Sequence, residues 1–147
     1  MKNKRLVPET IIKKIVNRGL SKEVLSHALL IRLRRRYLVT TDLVRCLIRS
    51  GLDVNYSEKI PQDRIYLNLN YSNLLRTATS NNDTKLVKVL LKNGAWVNDL
   101  DEYGYTVLSF SNKKRCMMIA IYKPLEAKKC HIILDLLIEQ SEQVYKK

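Results

Sequence analysis

Apolar residues recur along this chain in one short phrase: three of them at spacing i, i+3, i+4, then two further positions and a glycine. Ile12-x-x-Ile15-Val16-x-x-Gly19, Val44-x-x-Leu47-Ile48-x-x-Gly51 and Val87-x-x-Leu90-Leu91-x-x-Gly94 all follow it. A fourth copy, Ile133-x-x-Leu136-Leu137-x-x-Gln140, keeps the apolar triplet and loses the glycine. Spacing of this kind lays the three side chains along one helical stripe. The glycine then falls where the helix ends and the chain turns through the left-handed region, which glycine enters without steric cost. The pattern predicts helices ending near Gly19, Gly51, Gly94 and Gln140.

Further helices fit between these. Ser21 precedes Lys22-Glu23-Val24 as an N-cap, and Val24, Leu25, Ala28, Leu29 and Leu33 form an apolar stripe. Asp83 or Thr84 caps the helix over 85–93, with Lys88 and Lys92 on its outer face. The segment from Arg64 to Tyr71 alternates with period two and predicts a short exposed strand. After Gly94, Asp101 and Gly104 are placed to build a tight turn, and Thr106 to start the next helix through its hydroxyl.

The segment from Gly94 to Leu108 carries G-A-x-V-N followed by D-x-x-G-x-T-x-L, and at that spacing it resembles ankyrin repeats. Asn73-Leu74-Leu75-Arg76-Thr77-Ala78 is similar to a worn form of the family's T-P-L-H-x-A helix start. Gly51-Leu52-Asp53-Val54-Asn55 repeats the G-x-D-V-N helix exit. The clear resemblance covers residues 41–111. It implies an all-α fold: an ankyrin-repeat solenoid of three to four irregular repeats with short β-hairpin fingers, in which each repeat buries its stripe against its neighbours. Gly19, Gly51, Gly94, Asp101, Gly104 and Thr106 are then the structural repeat positions.

The copies are unevenly spaced. Gly19 to Gly51 is 32 residues, close to the ankyrin period of about 33, whereas Gly51 to Gly94 is 43 and Gly94 to Gln140 is 46. The surplus lies in an extra loop around Tyr56–Asn70 and in a stretch around Asn112–Lys129, where Pro124 marks irregular chain. On this reading one domain spans 1–147. Residues 1–20 are a degenerate N-terminal repeat or cap, 21–55 a repeat, 71–98 the best-formed repeat, 99–140 the last repeat with its insertion, and 141–147 a tail. The stretch Leu6-Val7-Pro8-Glu9-Thr10-Ile11-Ile12, continued by Leu20 and Val24-Leu25, is also similar to an F-box. That gives residues 6–25 a second reading as a ubiquitin-ligase adaptor.

Composition narrows the class. In 147 residues, 46% hydrophobic and with only four Gly and three Pro, collagen-like and Pro/Gly-rich disordered chains are excluded. No window approaches a membrane-spanning helix, and no signal-peptide core follows the basic N-terminus. Cys46, Cys116 and Cys130 are odd in number and form no C-x-x-C pair, which points to buried thiols in a reducing, intracellular setting. Host cytoplasm is the expected address if the protein is viral, with the nucleus as an alternative.

Candidate chemistry is sparse. His27 and His131 are the only histidines, and Cys130 and His131, adjacent on a helix, point about 100° apart. No two glycines lie closer than ten residues, so there is no phosphate-cradling loop. Asp99, Asp101 and Glu102 read as turn chemistry and not as a cation site. We expect no catalytic residue, no cofactor and no metal, hence no enzyme.

Binding features are richer. Trp96, Glu102, Tyr103 and Tyr105 flank the turn glycine, where the resemblance implies exposed finger tips that read a protein partner; Trp96 has packing between repeats as its alternative. The run Arg32, Arg34, Arg35, Arg36, with Tyr37 beside it, is the sharpest electrostatic feature of a chain at net charge +13. It reads as a phosphate-tracking face, a nuclear import signal, a dock for an acidic protein, or a solvated helix end. The Lys/Ile/Asn/Tyr-rich composition and worn consensus resemble the ankyrin proteins of poxviruses. That implies a monomeric, non-enzymatic host-range or immune-evasion adaptor binding a host protein, with nucleic-acid binding as the alternative and no membrane role.

Overall fold

A computed structural model of the chain describes residues 14, 17–37, 39–59, 71–101, 103–109, 111 and 124–145. The described residues are mostly helical, with one two-stranded sheet. In chain order they form α1 (Lys22–Arg34), α2 (Thr41–Arg49), β1 (Ser57–Lys59), β2 (Tyr71–Asn73), α3 (Leu74–Ser80), α4 (Thr84–Lys92) and α5 (Pro124–Tyr145).

Each of the first four helices starts on a side-chain cap. The Ser21 hydroxyl accepts from Val24 N at 3.2 Å, Thr40 from Leu43 N at 3.3 Å, Asn73 from Arg76 N at 2.7 Å and Asp83 from Leu86 N at 3.0 Å. These bonds satisfy amide donors that the first turn leaves without partners. Of the two candidates before α4, Asp83 is the cap.

The four helices also end alike, by a left-handed residue and a pair of backbone bonds reaching back into the last turn. After α2, Gly51 N donates to the Ile48 carbonyl at 3.0 Å and Leu52 N to Leu47 at 2.9 Å; after α4, Gly94 N donates to Leu91 at 3.2 Å and Ala95 N to Leu90 at 3.0 Å. Both glycines have strongly positive φ, +100° and +87°. The same closure follows α1 and α3, but there the left-handed residue is Arg36 or Asn82, each at φ 55°. Asparagine tolerates this conformation through its short polar side chain; arginine gains no such relief.

Packing follows from the stripes. α1 lies against α3, α2 against α4, α3 against α4, and α4 against α5. Leu29, Leu30, Leu33, Val44, Leu74, Leu75, Ala78, Leu86, Val87, Leu90, Leu91, Val107, Ile133 and Leu137 join in one buried core. Between α1 and α3 the Asn81 side chain donates to the Leu33 carbonyl at 2.8 Å, tying the ends of two neighbouring helices.

Three expectations need correction. Val24 and Ala28 are exposed, so α1 buries Leu25, Ser26, Leu29, Leu30 and Leu33 instead. Ser26 joins the core because its hydroxyl is doubly bonded, donating to Lys22 O at 2.9 Å and accepting from Asp53 N at 3.1 Å. Pro124 does not mark irregular chain but begins α5, where its fixed φ and missing N–H suit a first helical turn. That helix runs past Gln140 to Tyr145, through most of the expected tail, since no glycine or proline interrupts it there. The strand expected from Arg64 lies outside the described residues as far as Asn70. Ser57–Lys59, inside the Tyr56–Asn70 insertion, pairs with the segment that follows it, Ser57 with Asn73, Glu58 with Ser72 and Lys59 with Tyr71.

Candidate functional site

The loop between α4 and the helical residues 107–109 exposes four large apolar side chains within ten residues. Trp96 and Tyr103 are each 63% exposed, Tyr105 57% and Leu100 56%. Ala95 and Val97, on either side of Trp96, are buried. The chain here alternates inward and outward, which turns the indole toward solvent. Trp96 therefore does not pack between neighbouring helices. Leu100 joins the exposed group unannounced by any motif, and Glu102 lies outside the described residues.

Two hydrogen-bonded anchors hold this loop. At its start, Asn55 donates from Nδ2 to the Gly94 carbonyl at 3.2 Å, while its Oδ1 accepts from Trp96 N at 2.8 Å. Asn55 is set in turn by Asp53, whose carboxylate accepts from Asn55 N at 2.9 Å. At its far end, Asp101 Oδ1 accepts from both Tyr103 N, at 2.9 Å, and Tyr105 N, at 2.8 Å. Gly104, at φ +77°, closes the turn by donating to the Asp101 carbonyl at 3.0 Å. Thr106 then accepts from Ser109 N at 3.2 Å, opening the next helical turn as the sequence predicted.

Beneath this turn sits a residue that sequence reasoning passed over. Arg76, on α3, is only 1% exposed. Its Nη2 donates to the Tyr105 carbonyl at 2.9 Å and its Nη1 faces Asp101 Oδ2 at 3.4 Å. Both carboxylate oxygens of Asp101 are thus engaged, one by the loop backbone and one by a buried guanidinium. Arginine suits this place because its planar fork reaches a carboxylate and a carbonyl at once. Only an arginine inside an otherwise short, uncharged helix start hints at it in the sequence.

The basic run does not form one patch. Arg34 turns to Glu58 on β1, with Nη1 to Oε1 at 2.8 Å, and is half-buried. Glu58 Oε2 also meets His27 Nδ1 at 2.5 Å and accepts from the Tyr56 hydroxyl at 3.2 Å. Burial raises the Tyr56 phenol pKa, and the neighbouring Glu58 charge and hydrogen bond add to it. The His27 and Tyr56 rings meet edge to face at 6.4 Å. This cluster fastens the strand to α1 across separations of 24 and 31 residues, which no local pattern announces. Arg32 lies 5.7 Å over the Tyr37 ring, while Arg35 and Arg36 are exposed past the helix end.

The remaining candidates separate. Cys130 is buried, its thiol 3.0 Å from Asn82 Oδ1, while His131 is exposed and 3.6 Å from Asp135. Cys46 is buried too, and Cys116 lies outside the described residues. Among the described residues no group of three or more His, Cys, Asp or Glu side chains could hold a metal ion, and no helix is long and apolar enough to cross a membrane. Comparison of the chain with protein-family models, curated proteins and solved structures finds no match.

Proposed function

We propose that the chain is a protein-binding module of stacked, irregular ankyrin-like helix pairs, and that it captures a protein partner on the loop bearing Trp96, Leu100, Tyr103 and Tyr105. The observation that carries this reading is the coincidence of exposure and rigidity. Four large apolar side chains face solvent on a backbone held by Asn55, Asp101 and Arg76. Rigid aromatic anchors lose little entropy on binding and so retain most of the free energy of burial. A loop of this kind on a monomer is more than scattered surface hydrophobicity.

The repeat reading is supported by the glycine register, the paired helix ends and the Asn55 link between equivalent loops. The sequence resemblance to poxvirus ankyrin proteins makes a host protein, met inside the infected cell, the expected class of partner. The role is recognition and not catalysis.

Affinity capture from host-cell lysate should recover a partner with the wild-type chain and lose it with Tyr103→Ala plus Tyr105→Ala. Asp101 and Arg76 hold the turn through the backbone amides of both tyrosines and the Tyr105 carbonyl, which the substitutions keep, so the double variant should melt close to wild type. Equal capture by a folded double variant would refute the assignment.

A further inference from the structure

A second surface, using none of the loop residues, lies on the outer faces of α2 and α4. The two helices match at a separation of 43 residues: Thr40 with Asp83 as caps, Val44 with Val87 in the core, Gly51 with Gly94 at the left-handed exit. They pack against each other, and Asn55 fastens the loop after α2 to the loop after α4. Equivalent faces therefore lie side by side. Arg45 and Arg49 are exposed on α2, and Lys88 and Lys92 occupy the matching positions on α4, with Lys85 one turn earlier. The only acid on either helix is Asp42, itself exposed and 3.1 Å from Arg45. Cations one helical turn apart stand roughly 6 Å from each other along each helix, and the two rows are about 8–10 Å apart.

We propose that this two-helix face binds the phosphate backbone of double-stranded nucleic acid without regard to sequence. Its make-up favours phosphate over an acidic protein. Neither helix exposes a large apolar side chain, and a protein interface draws its affinity from buried apolar anchors. Phosphate binding draws on counterion release and needs none. The absence of an exposed aromatic from both helices likewise argues against single strands, whose bases stack on such rings. A nine-residue helix is about 13 Å long, a length over which a duplex presents about eight phosphates. The array of five cations is commensurate with that charge density.

The test is fluorescence anisotropy of the full-length chain with a labelled duplex of about 20 base pairs, across a salt series. With about four phosphates contacted, log affinity should fall against log salt with a slope of about −4. Replacing Lys85, Lys88 and Lys92 by Glu should weaken binding by roughly a hundredfold and flatten the slope by about 3. Neutral Gln replacements at the same three positions, less prone to disturb the helix, should flatten the slope equally. The control carries the same loss of charge elsewhere: Arg32→Glu, Arg35→Glu and Arg36→Glu together should cost less than about fivefold. The proposal is overturned if the α4 variants bind within threefold of wild type, if the arginine control loses as much as they do, or if a polyglutamate peptide binds more tightly than the duplex at equal salt.

Discussion

The helix pairs α1–α2 and α3–α4 begin and end on the same devices but differ in how completely they are covered. In α1 the buried residues keep to one side, and Val24, His27, Ala28 and Arg32 face solvent. In α3 every side chain from Leu74 to Thr79 is buried, Arg76 and both threonines included. A helix covered on one side obeys the ordinary amphipathic rule. One covered on all sides must take its polar groups inside and give them partners. Thr77 bonds back to the Asn73 carbonyl at 2.7 Å and meets the Ser72 hydroxyl at 2.9 Å, while Arg76 reaches the turn at Asp101. α3 is thus the helix through which α1, α4 and the apolar loop are joined.

This contrast breaks most visibly in the core. Leu90 on α4 is fully buried, whereas Leu47, at the equivalent place on α2, is only partly so. Leu90→Ala should cost about 2–5 kcal/mol and Leu47→Ala roughly 1–2 kcal/mol, read from denaturant midpoints at constant slope. Equal losses would mean that the two pairs are covered alike.

A somewhat smaller effect is expected where α3 supports the loop. Asp101→Ala removes the carboxylate partner of a buried guanidinium and should cost about 3 kcal/mol. Hydrogen exchange should rise at the Tyr103 and Tyr105 amides, which Asp101 accepts. Among the described residues no counterpart of this ion pair supports the loop after α2, so Asp53→Ala should disturb chiefly the Asn55 amide and, through Asn55, that of Trp96. Exchange unchanged at both tyrosines would show that Gly104 alone shapes the turn.

The smallest effect sharpens the comparison of helix ends. Arg36 and Gly94 occupy the same left-handed position after α1 and α4, and a Cβ added at Gly94 would meet no atom within 4 Å. A side chain at Gly94 is therefore opposed by backbone strain and not by a clash. Arg36→Gly should stabilise by about 0.5–1 kcal/mol, and Gly94→Arg should destabilise by a similar or slightly larger amount. Thermal melts of the two single variants and of the exchange double variant check this. A destabilised Arg36→Gly would place a stabilising contact on the Arg36 side chain.

Much of the fold was legible because its signals are local. A cap bonds to the amide three residues on, a glycine relieves its own φ, and an i, i+3, i+4 triplet needs only the helix it lies on. Hence Ser21, Asp83, Gly51, Gly94 and the Asp101–Gly104–Thr106 turn stand where the pattern placed them, and Tyr103 and Tyr105 face solvent. Trp96 shows the limit. Its sequence allowed exposure or packing equally, and only the buried neighbours Ala95 and Val97 settle which way the indole turns.

What the tertiary structure alone decided are the relations between distant residues. Whether Arg34 belongs to a cationic surface or to Glu58 depends on where β1 is laid against α1. Whether α3 hides an arginine depends on how many elements cover it. The repeated phrase told the chain where to form helices and where to stop them, because those choices rest on steric and hydrogen-bonding terms within a few residues. Which faces of those helices meet rests on the area of apolar surface removed from water between elements, and that quantity exists only once they are packed together.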